Sequence, residues 1–287
     1  MLAKRIILLF FRDKANVFFS LLAVLIIIGL YVLFLGDMMV QGLEAQLGFH
    51  SNMIAVTMAS ITLAGMIAVT SVTSCMGAMG ISIEDKEVAA KDFLTSPASR
   101  SKITLGYILG SASIGLILTI IALALCVVYI VSKGGNIPSA TDMALLLMTS
   151  VLSVLCGISM VYFFCSFVKT SNAFSAISTV IGTLIGFLMG IYIPIGNFPN
   201  AVQWVIKCFP MSHAASMFRL LLADRELADL FSGAPPEVLE QFRELFGIVF
   251  VYGDQTSTFW LSAAYLTFST TLFSVLSLIA MRLQKRK

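Results

Sequence analysis

The sequence predicts an all-α integral membrane protein with six transmembrane helices, and three observations support this fold class. Hydrophobic residues make up 59% of the 287 residues and charged residues 11%, whereas soluble domains carry about 25% charged residues. Uncharged runs of about 20 residues or more, the length that a hydrocarbon core requires, recur along the chain. Lys and Arg lie beside these runs rather than on one soluble face, which argues against nucleic acid as a partner.

The chain begins with a basic segment, residues 1–14, whose apolar stretch ends at Arg12. A secretory signal would carry a longer apolar stretch followed by a small-residue cleavage site. We therefore predict an amphipathic interfacial helix with its basic residues at the lipid headgroups. A plain basic flank to the first span is the alternative. The six predicted spans cover residues 15–36, 52–83, 103–131, 143–168, 173–195 and 257–281.

The distribution of positive charge predicts the orientation. With the amino terminus inside, 13 of the 18 Lys and Arg residues fall in inner segments, and ten of the 15 acidic residues fall in outer ones. We predict a multi-pass plasma-membrane protein with both termini in the cytoplasm. Residues 84–102 then form a cytoplasmic loop, and residues 196–256 form an extracellular segment. Because no repeat or flexible linker divides the chain, we interpret residues 1–287 as one membrane domain.

The side chains of the predicted spans argue against several classes of membrane protein. No Asp, Glu, Lys, Arg or His lies in the interior of a predicted span. Ion-driven transporters usually keep an ionisable group at membrane depth, and intramembrane enzymes need a catalytic carboxylate, His or metal. The five cysteines have no paired metal spacing, and the chain has no Gly-x-x-x-x-Gly-Lys-[Ser/Thr] phosphate loop. We expect no catalytic, metal or cofactor-binding residue here, and we expect any ATPase to be a separate polypeptide.

Residues 82–102 are a dense block of mixed charge between two long apolar runs. Ser82 and Asp85 have the spacing of a capping box, which predicts that a helix starts there, and Pro97 predicts where it ends. We interpret this block as a short helix on the membrane surface to which a separate ATPase could bind. An ordinary solvated connector is the alternative.

The block contains the run Glu84-Asp85-Lys86-Glu87, then Asp92-Phe93, Ser96-Pro97 and Arg100. In this pattern it resembles the cytoplasmic signature of ATP-binding-cassette (ABC) exporter permeases of the type-2 membrane-domain family. The basic amino-terminal helix, the six spans and the long segment before the last span are similar as well. The chain departs from the family at Val88-Ala89, where many members carry Gly-Thr. The residues that carry the resemblance and the predicted ATPase contact are Glu84, Asp85, Lys86, Glu87, Lys91, Asp92, Phe93, Ser96, Pro97 and Arg100.

The resemblance implies that residues 84–96 form a coupling helix seated on the ATPase, with the amino-terminal helix nearby. It implies a dimer of permeases with two ATPase chains, which would bind the ATP and Mg²⁺, and a cycle between inward-open and outward-open cavities. Residues 201–209 and 212–229 are predicted to be short amphipathic helices, and Pro235-Pro236 is predicted to open an acidic helix that runs to about Phe246. The resemblance implies that short re-entrant helices in this region form an outer gate. An anchoring role for Trp204 and a capping or interfacial role for His213 are the alternatives. The candidate gate residues are Trp204, Phe209, Pro210, His213 and Phe218.

Two spans carry residues that could line a substrate pathway or form a dimer seam. The second span has uncharged hydroxyls that could face a pathway or form interhelical hydrogen bonds: Thr57, Ser60, Thr70 and Ser74. The fifth span has a doubled Gly-x-x-x-Gly, which permits close helix approach within one subunit or between two. Its glycines are Gly182, Gly186 and Gly190.

Together these observations predict the permease subunit of an ABC exporter that moves an amphipathic substrate outward, powered by a separate ATPase. Uncharged walls, with 22 Phe and 15 Met in the chain, favour a drug, antibiotic or hydrophobic peptide over an ion. Export of a lipid-linked glycan is one alternative. A non-transporting membrane scaffold or sensor is an alternative from another class. The second permease could be another copy of this chain or a different one.

Overall fold

The computed structural model describes residues 2–48, 51–88, 100–168, 170–253 and 255–284. Within these ranges the chain is almost entirely helical. The helices are α1 (Leu2–Arg12), α2 (Lys14–Leu30), α3 (Gly36–Leu47), α4 (Asn52–Val88), α5 (Arg100–Ser132), α6 (Ala140–Phe167), α7 (Ser171–Leu188), α8 (Asn200–Cys208), α9 (Pro210–Leu222), α10 (Asp224–Leu230), α11 (Pro236–Leu245) and α12 (Phe259–Gln284). Strands β1 (Val251–Tyr252) and β2 (Gln255–Thr256) pair antiparallel.

Six helical stretches of the described chain are long and apolar enough to cross a membrane. They are Ile28–Ala45, Asn52–Asp85, Lys102–Ser132, Ala140–Phe167, Ser171–Leu188 and Phe259–Ala280. Together with the predominance of helix, they confirm the predicted all-α membrane fold.

The first span extends further than the sequence predicted. A π-helical stretch, Tyr31–Leu35, joins α2 to α3, and Gly36 has helical dihedrals, so that helical structure continues past the predicted end at residue 36. It ends after Leu47, where Gly48 adopts a φ of 76°. A left-handed glycine is a common helix terminator. Residues 37–47, which were predicted to be a connection, are therefore helical.

Helix α4 is the centre of the bundle. It has 37 residues and packs against α5, α6, α7 and α9. Of its candidate span 89% is buried, compared with 11% of the span in α7. A helix that is apolar on all sides is suited to such a central position. As the length of its apolar run predicted, α4 continues beyond the thickness of a bilayer.

The predicted helix start at Ser82 was wrong. Ser82 lies inside α4, and its hydroxyl donates to the carbonyl oxygen of Met79 at 2.7 Å. A serine inside a helix can satisfy its hydroxyl in this way, by bonding back to the preceding turn. The spacing of Ser82 and Asp85 therefore occurs here without a helix terminus.

The predicted fifth span was too long. Helix α7 ends at Leu188 rather than near Ile195, and Gly190 follows it with a φ of 61°. This left-handed conformation suits glycine and turns the chain away from the helix axis. Gly190 therefore does not continue the helical row of Gly182 and Gly186.

Residues 195–256, which we call the cap, cover one end of the bundle. Helices α8 and α11 lie where short helices were predicted. The predicted amphipathic helix over residues 212–229 is instead two helices, α9 and α10, which meet at Ala223. Helix α9 packs against α4, α6 and α12 and is buried along nearly all of its length. It is therefore part of the core rather than a surface helix.

Candidate functional site

The predicted ATPase-binding segment is described only at its two ends. Glu84, Asp85, Lys86 and Glu87 belong to the end of α4, and Arg100 begins α5. The remaining predicted residues lie outside the described residues, and these are Lys91, Asp92, Phe93, Ser96 and Pro97.

Asp85 joins three helices at this end of the bundle. Arg5 of α1 donates from Nη1 to Asp85 Oδ2 at 2.9 Å and from Nη2 to Oδ1 at 3.5 Å. Tyr107 of α5 donates its hydroxyl to the same Oδ2. The hydrogen bond with Asp85 raises the pKa of Arg5. Because the Arg5 side chain is 45% exposed, solvent screens this ion pair, which contributes about 1 kcal/mol or less to stability.

Apolar packing fixes α1 in place beside this network. A Cβ atom at Gly106 would lie 2.7 Å from Leu2 Cδ2, and one at Gly110 would lie 2.9 Å from Ile6 Cβ. Glycines four residues apart allow two helices to approach closely. Ile6 and Phe10 are buried in the resulting contact. This glycine pair was not predicted, although its spacing is visible in the sequence.

The predicted gate residues lie on α8, on α9 and at the joint between them. Trp204 is 55% exposed on α8 and packs near Tyr252, with ring centroids 6.2 Å apart. Phe209 is half-buried at the joint. Pro210, His213 and Phe218 are buried on α9. The structure thus brings these last three residues onto one core helix, while Trp204 stays at the surface.

His213 connects the cap to the last span. Its Nδ1 lies 3.2 Å from Ser262 Oγ on α12, and its Nε2 lies 3.1 Å from the carbonyl oxygen of Lys207. Because a carbonyl can only accept, Nε2 carries the proton in the neutral ring, and Nδ1 accepts from the Ser262 hydroxyl. The ring also packs on Tyr265, with centroids 4.3 Å apart. Burial lowers the pKa of His213, which favours this neutral form.

The sequence alone did not predict a structural role for Arg219. It is fully buried on α9, and its guanidinium donates only to main-chain carbonyls in the described chain. Nε donates to Ile61 of α4 at 3.2 Å, and Nη1 donates to Gly247 at 3.5 Å. Nη2 donates to Met189 and, at 3.2 Å, to Gly190. Asp37 lies in the middle of the first membrane-crossing stretch, Ile28–Ala45, so the prediction that no span carries a charge in its interior was wrong there. The cap brings a further charge, the Arg219 guanidinium, against α4.

A cavity of about 230 Å³ lies at the cap end, between the end of α5, the start of α6 and helices α9 and α10. Glu226 in its wall accepts from the main-chain N–H of Asn136 at 3.3 Å, and burial raises the pKa of Glu226. No predicted pathway residue lines this cavity. In the described parts of the chain, no group of three His, Cys, Asp or Glu side chains is placed to hold a metal ion.

A family model described as "ABC-2 type transporter" matches residues 1–222. The chain belongs to the ABC-2 type transporter family. The match covers α1 to α9, including Arg5, Asp85 and Arg219. The protein is therefore a permease component of an ABC transporter and a multi-pass membrane protein, and its family implies an ABC ATPase partner. Among curated proteins, none matches the chain.

In this ABC-2 permease, the predicted pathway hydroxyls are buried inside one subunit. Thr57 and Thr70 donate to carbonyls of their own helix, those of Met53 and Met66, each at 2.8 Å. Ser60 and Ser74 are buried, and their hydroxyls have no hydrogen-bond partner in the described chain. That these residues line a pathway stays a prediction.

The two glycines of the predicted seam that lie on α7 have different surroundings. A Cβ atom at Gly182 would meet nothing within 4 Å, whereas one at Gly186 would lie 2.5 Å from Tyr192 Cε2. Gly186 therefore serves packing within the subunit. Gly182 faces open space and remains a candidate for contact with a second permease.

Proposed function

We propose that this ABC-2 permease is the membrane subunit of an exporter and is powered by a separate ATPase that binds residues 84–102. The observation that carries this proposal is the network at Asp85. There the end of the central helix meets α1 and α5, at the start of the block of mixed charge, residues 82–102. A displacement of that block would act on α4 and its neighbours together.

The length of α4 supports transmission across the membrane. The stretch from Asp85 to Ile61 is about 36 Å long at 1.5 Å per residue, which exceeds the roughly 30 Å of a hydrocarbon core. It connects the Arg5–Asp85 network to the carbonyl that Arg219 binds. Packed helices can carry coupling between distant sites when they shift as units. An ATPase at one end of α4 could therefore act on the cap at the other end.

The distribution of Lys and Arg supports the proposed orientation of the permease in the membrane. The segments that contain α1, residues 84–102 and the carboxyl terminus are rich in Lys and Arg, as cytoplasmic segments are. The cap would then be extracellular, and transport toward the cap would be export. Apart from Ile28–Ala45 with its Asp37, the membrane-crossing stretches carry no ionisable side chain in their interiors, which favours an amphipathic substrate over an ion.

A second permease would complete the transporter, and exposed apolar faces support this part of the proposal. Val180 and Leu184 on α7 are 57% and 53% exposed, and Leu33 in the first span is 81% exposed. These side chains would contact lipid or a second subunit. Gly182, which has open space around it, lies on the same helix.

The test is co-expression with an ABC ATPase that co-purifies with the unaltered chain. A triple variant, Glu84→Ala/Asp92→Ala/Arg100→Ala, is compared with Glu237→Ala, which removes an exposed carboxylate from the cap. We expect the triple variant to lose ATPase co-purification and ATP-dependent uptake of an amphipathic dye by inside-out vesicles, while Glu237→Ala retains both. Unchanged co-purification would exclude the assigned ATPase contact. Transport without nucleotide would exclude the ABC mechanism.

A further inference from the structure

Three glycines create the space that the Arg219 guanidinium fills. A Cβ atom at Gly65 of α4 would lie 2.9 Å from Nη2, one at Gly247 would lie 3.2 Å from Nη1, and one at Gly190 would lie 3.4 Å from Nη2. Gly190 and Gly247 also have positive φ values, of 61° and 66°. We call this space the Arg219 pocket. It is built from three separate segments and takes an arginine at its centre.

The acceptors in the Arg219 pocket depend on this arginine. In the described chain, no main-chain N–H donates to the carbonyl oxygens of Met189, Gly190 or Gly247. The first two follow α7, where the negative end of the helix dipole favours a cation. No salt bridge of the described residues involves Arg219. Separating these segments would leave both the carbonyls and a buried charge without partners, which is costly.

Two serines extend the same pattern along α9. Ser212 donates to the carbonyl oxygen of Leu188 at 3.2 Å, and Ser216 donates to that of Ile248 at 2.6 Å. Ser212, Ser216 and Arg219 stand at positions i, i+4 and i+7, so they share one face of the helix. Three consecutive turns of α9 thus bind the same two segments, residues 188–190 and 247–248.

We propose that Arg219 is a positioning residue for transport, because it fixes the cap to α4 and to the end of α7. These parts then move as one body during the cycle. The exporter opens at other surfaces, and the cap does not lift away from α4. This inference rests on the proposed function for the transport step, whereas the attachment itself can be measured in the isolated permease.

The first experiment measures amide hydrogen exchange in the purified permease in lipid nanodiscs. Two amides report on the segments that Arg219 binds: Ile191 N–H, which donates to Gly186, and Ile248 N–H, which donates to Arg243. In Arg219→Met we expect their exchange to accelerate about tenfold or more, since hydrogen bonds to a charged group exceed neutral ones in strength.

Two further variants are compared with Arg219→Met in the hydrogen-exchange experiment, and a third is used if Arg219→Met does not fold. Arg219→Lys keeps the charge with fewer donors and should restore part of the protection. Arg225→Met, which removes an exposed arginine nearby, should change neither amide. Unchanged exchange in Arg219→Met would overturn the proposal. If that variant does not fold, Gly65→Ala decides, because it crowds Nη2 while keeping Arg219. The same acceleration is expected, and its absence would overturn the proposal.

The second experiment follows the cap during the cycle. Cys208 in the cap is exposed, whereas the other four cysteines are buried, so a spin label reacts there selectively. A second label is placed at Met53→Cys, an exposed position at the start of α4. Labelled chains are diluted into unlabelled ones, so that distances between subunits do not contribute.

The distance between the labels is compared with and without nucleotide trapped on the bound ATPase. We expect the same mean distance in both states. A shift would show that the cap swings relative to α4 and would overturn the proposal. Failure of the ATPase to bind would instead count against the proposed function, and the exchange experiment would still decide whether Arg219 fixes the cap.

Discussion

Two arginines bind the two ends of helix α4, and they do so by different chemistry. Arg5 is half-exposed and pairs with the carboxylate of Asp85. Arg219 is fully buried, and its described acceptors are main-chain carbonyls. Water can replace the partners of Arg5 at little cost, whereas it does not reach Arg219. The exposed contact therefore suits a joint that changes during a cycle, and the buried contact suits a fixed attachment.

The largest expected effect is that of Arg219→Met on stability. The variant leaves the carbonyls of Met189, Gly190 and Gly247 without a donor, and buried unsatisfied groups cost about 1–3 kcal/mol each. We expect the free energy of unfolding to fall by about 3 kcal/mol or more, measured by denaturant titration in detergent. An unchanged midpoint would show that the pocket does not depend on its arginine.

Crowding the Arg219 pocket should have the next largest effect. In Gly65→Ala the new methyl group would approach Arg219 Nη2 and Ile191 Cγ1, and such overpacking costs about 1–3 kcal/mol. Gly182→Ala is the matched control on α7, where the methyl group meets open space. It should leave the subunit as stable or up to about 1 kcal/mol more stable. Equal losses in the two variants would contradict the assigned pocket.

The variant Gly182→Ala also tests the predicted dimer seam. If Gly182 contacts a second permease, Gly182→Ala should reduce the dimer fraction in size-exclusion chromatography with light scattering, while the subunit remains stable. An unchanged dimer fraction would remove Gly182 from the seam.

His213 should make the stability of the cap depend on pH. Burial lowers its pKa in the folded protein, whereas in the unfolded chain it titrates near about 6.5. The unfolded state therefore binds the proton more readily, and stability is present above that pH and is lost as the pH falls below it. Thermal unfolding between pH 7.5 and pH 5 should show this loss. His213→Gln, which keeps a donor and an acceptor, should flatten it, and an equal slope in both proteins would contradict the assignment.

The smallest expected effect on stability is that of Arg5→Ala. An exposed ion pair contributes about 1 kcal/mol or less, and Ile6 and Phe10 still hold α1 against α5. Thermal unfolding should therefore change little, whereas ATPase co-purification should fall, because Arg5 contacts the end of α4 beside the proposed ATPase-binding segment. Arg5→Lys should retain most of the association. A large loss of stability in Arg5→Ala would erase the contrast between the two arginines.

The sequence predicted the bundle because hydropathy and charge act locally. Uncharged runs indicated the spans, and the length of the second run indicated that α4 extends beyond the bilayer. Helix ends were harder to predict. Gly36 is helical whereas Gly48 and Gly190 are left-handed, and residue type alone does not distinguish these cases. Similarly, the spacing of Ser82 and Asp85 fits both a helix start and a helix interior.

The Arg219 pocket could not be predicted in the same way. A single arginine in the apolar stretch of α9 is a visible signal, but its acceptors are main-chain oxygens that any residue can supply. Gly65, Gly190 and Gly247 are far apart in sequence, and only the packing of α4, α7 and the cap brings them together. The Arg5–Asp85 contact likewise joins residues 80 positions apart.

The most direct test measures ATPase co-purification and unfolding temperature on the same samples of Arg5→Ala/Asp85→Ala and Arg219→Met. We predict that the two effects separate. The double variant should lose the ATPase and keep its unfolding temperature, whereas the folded fraction of Arg219→Met should keep the ATPase and unfold at a lower temperature. If both variants lost both properties in parallel, or if the double variant still bound the ATPase, the division of α4 into a coupling end and a fixed end would be contradicted.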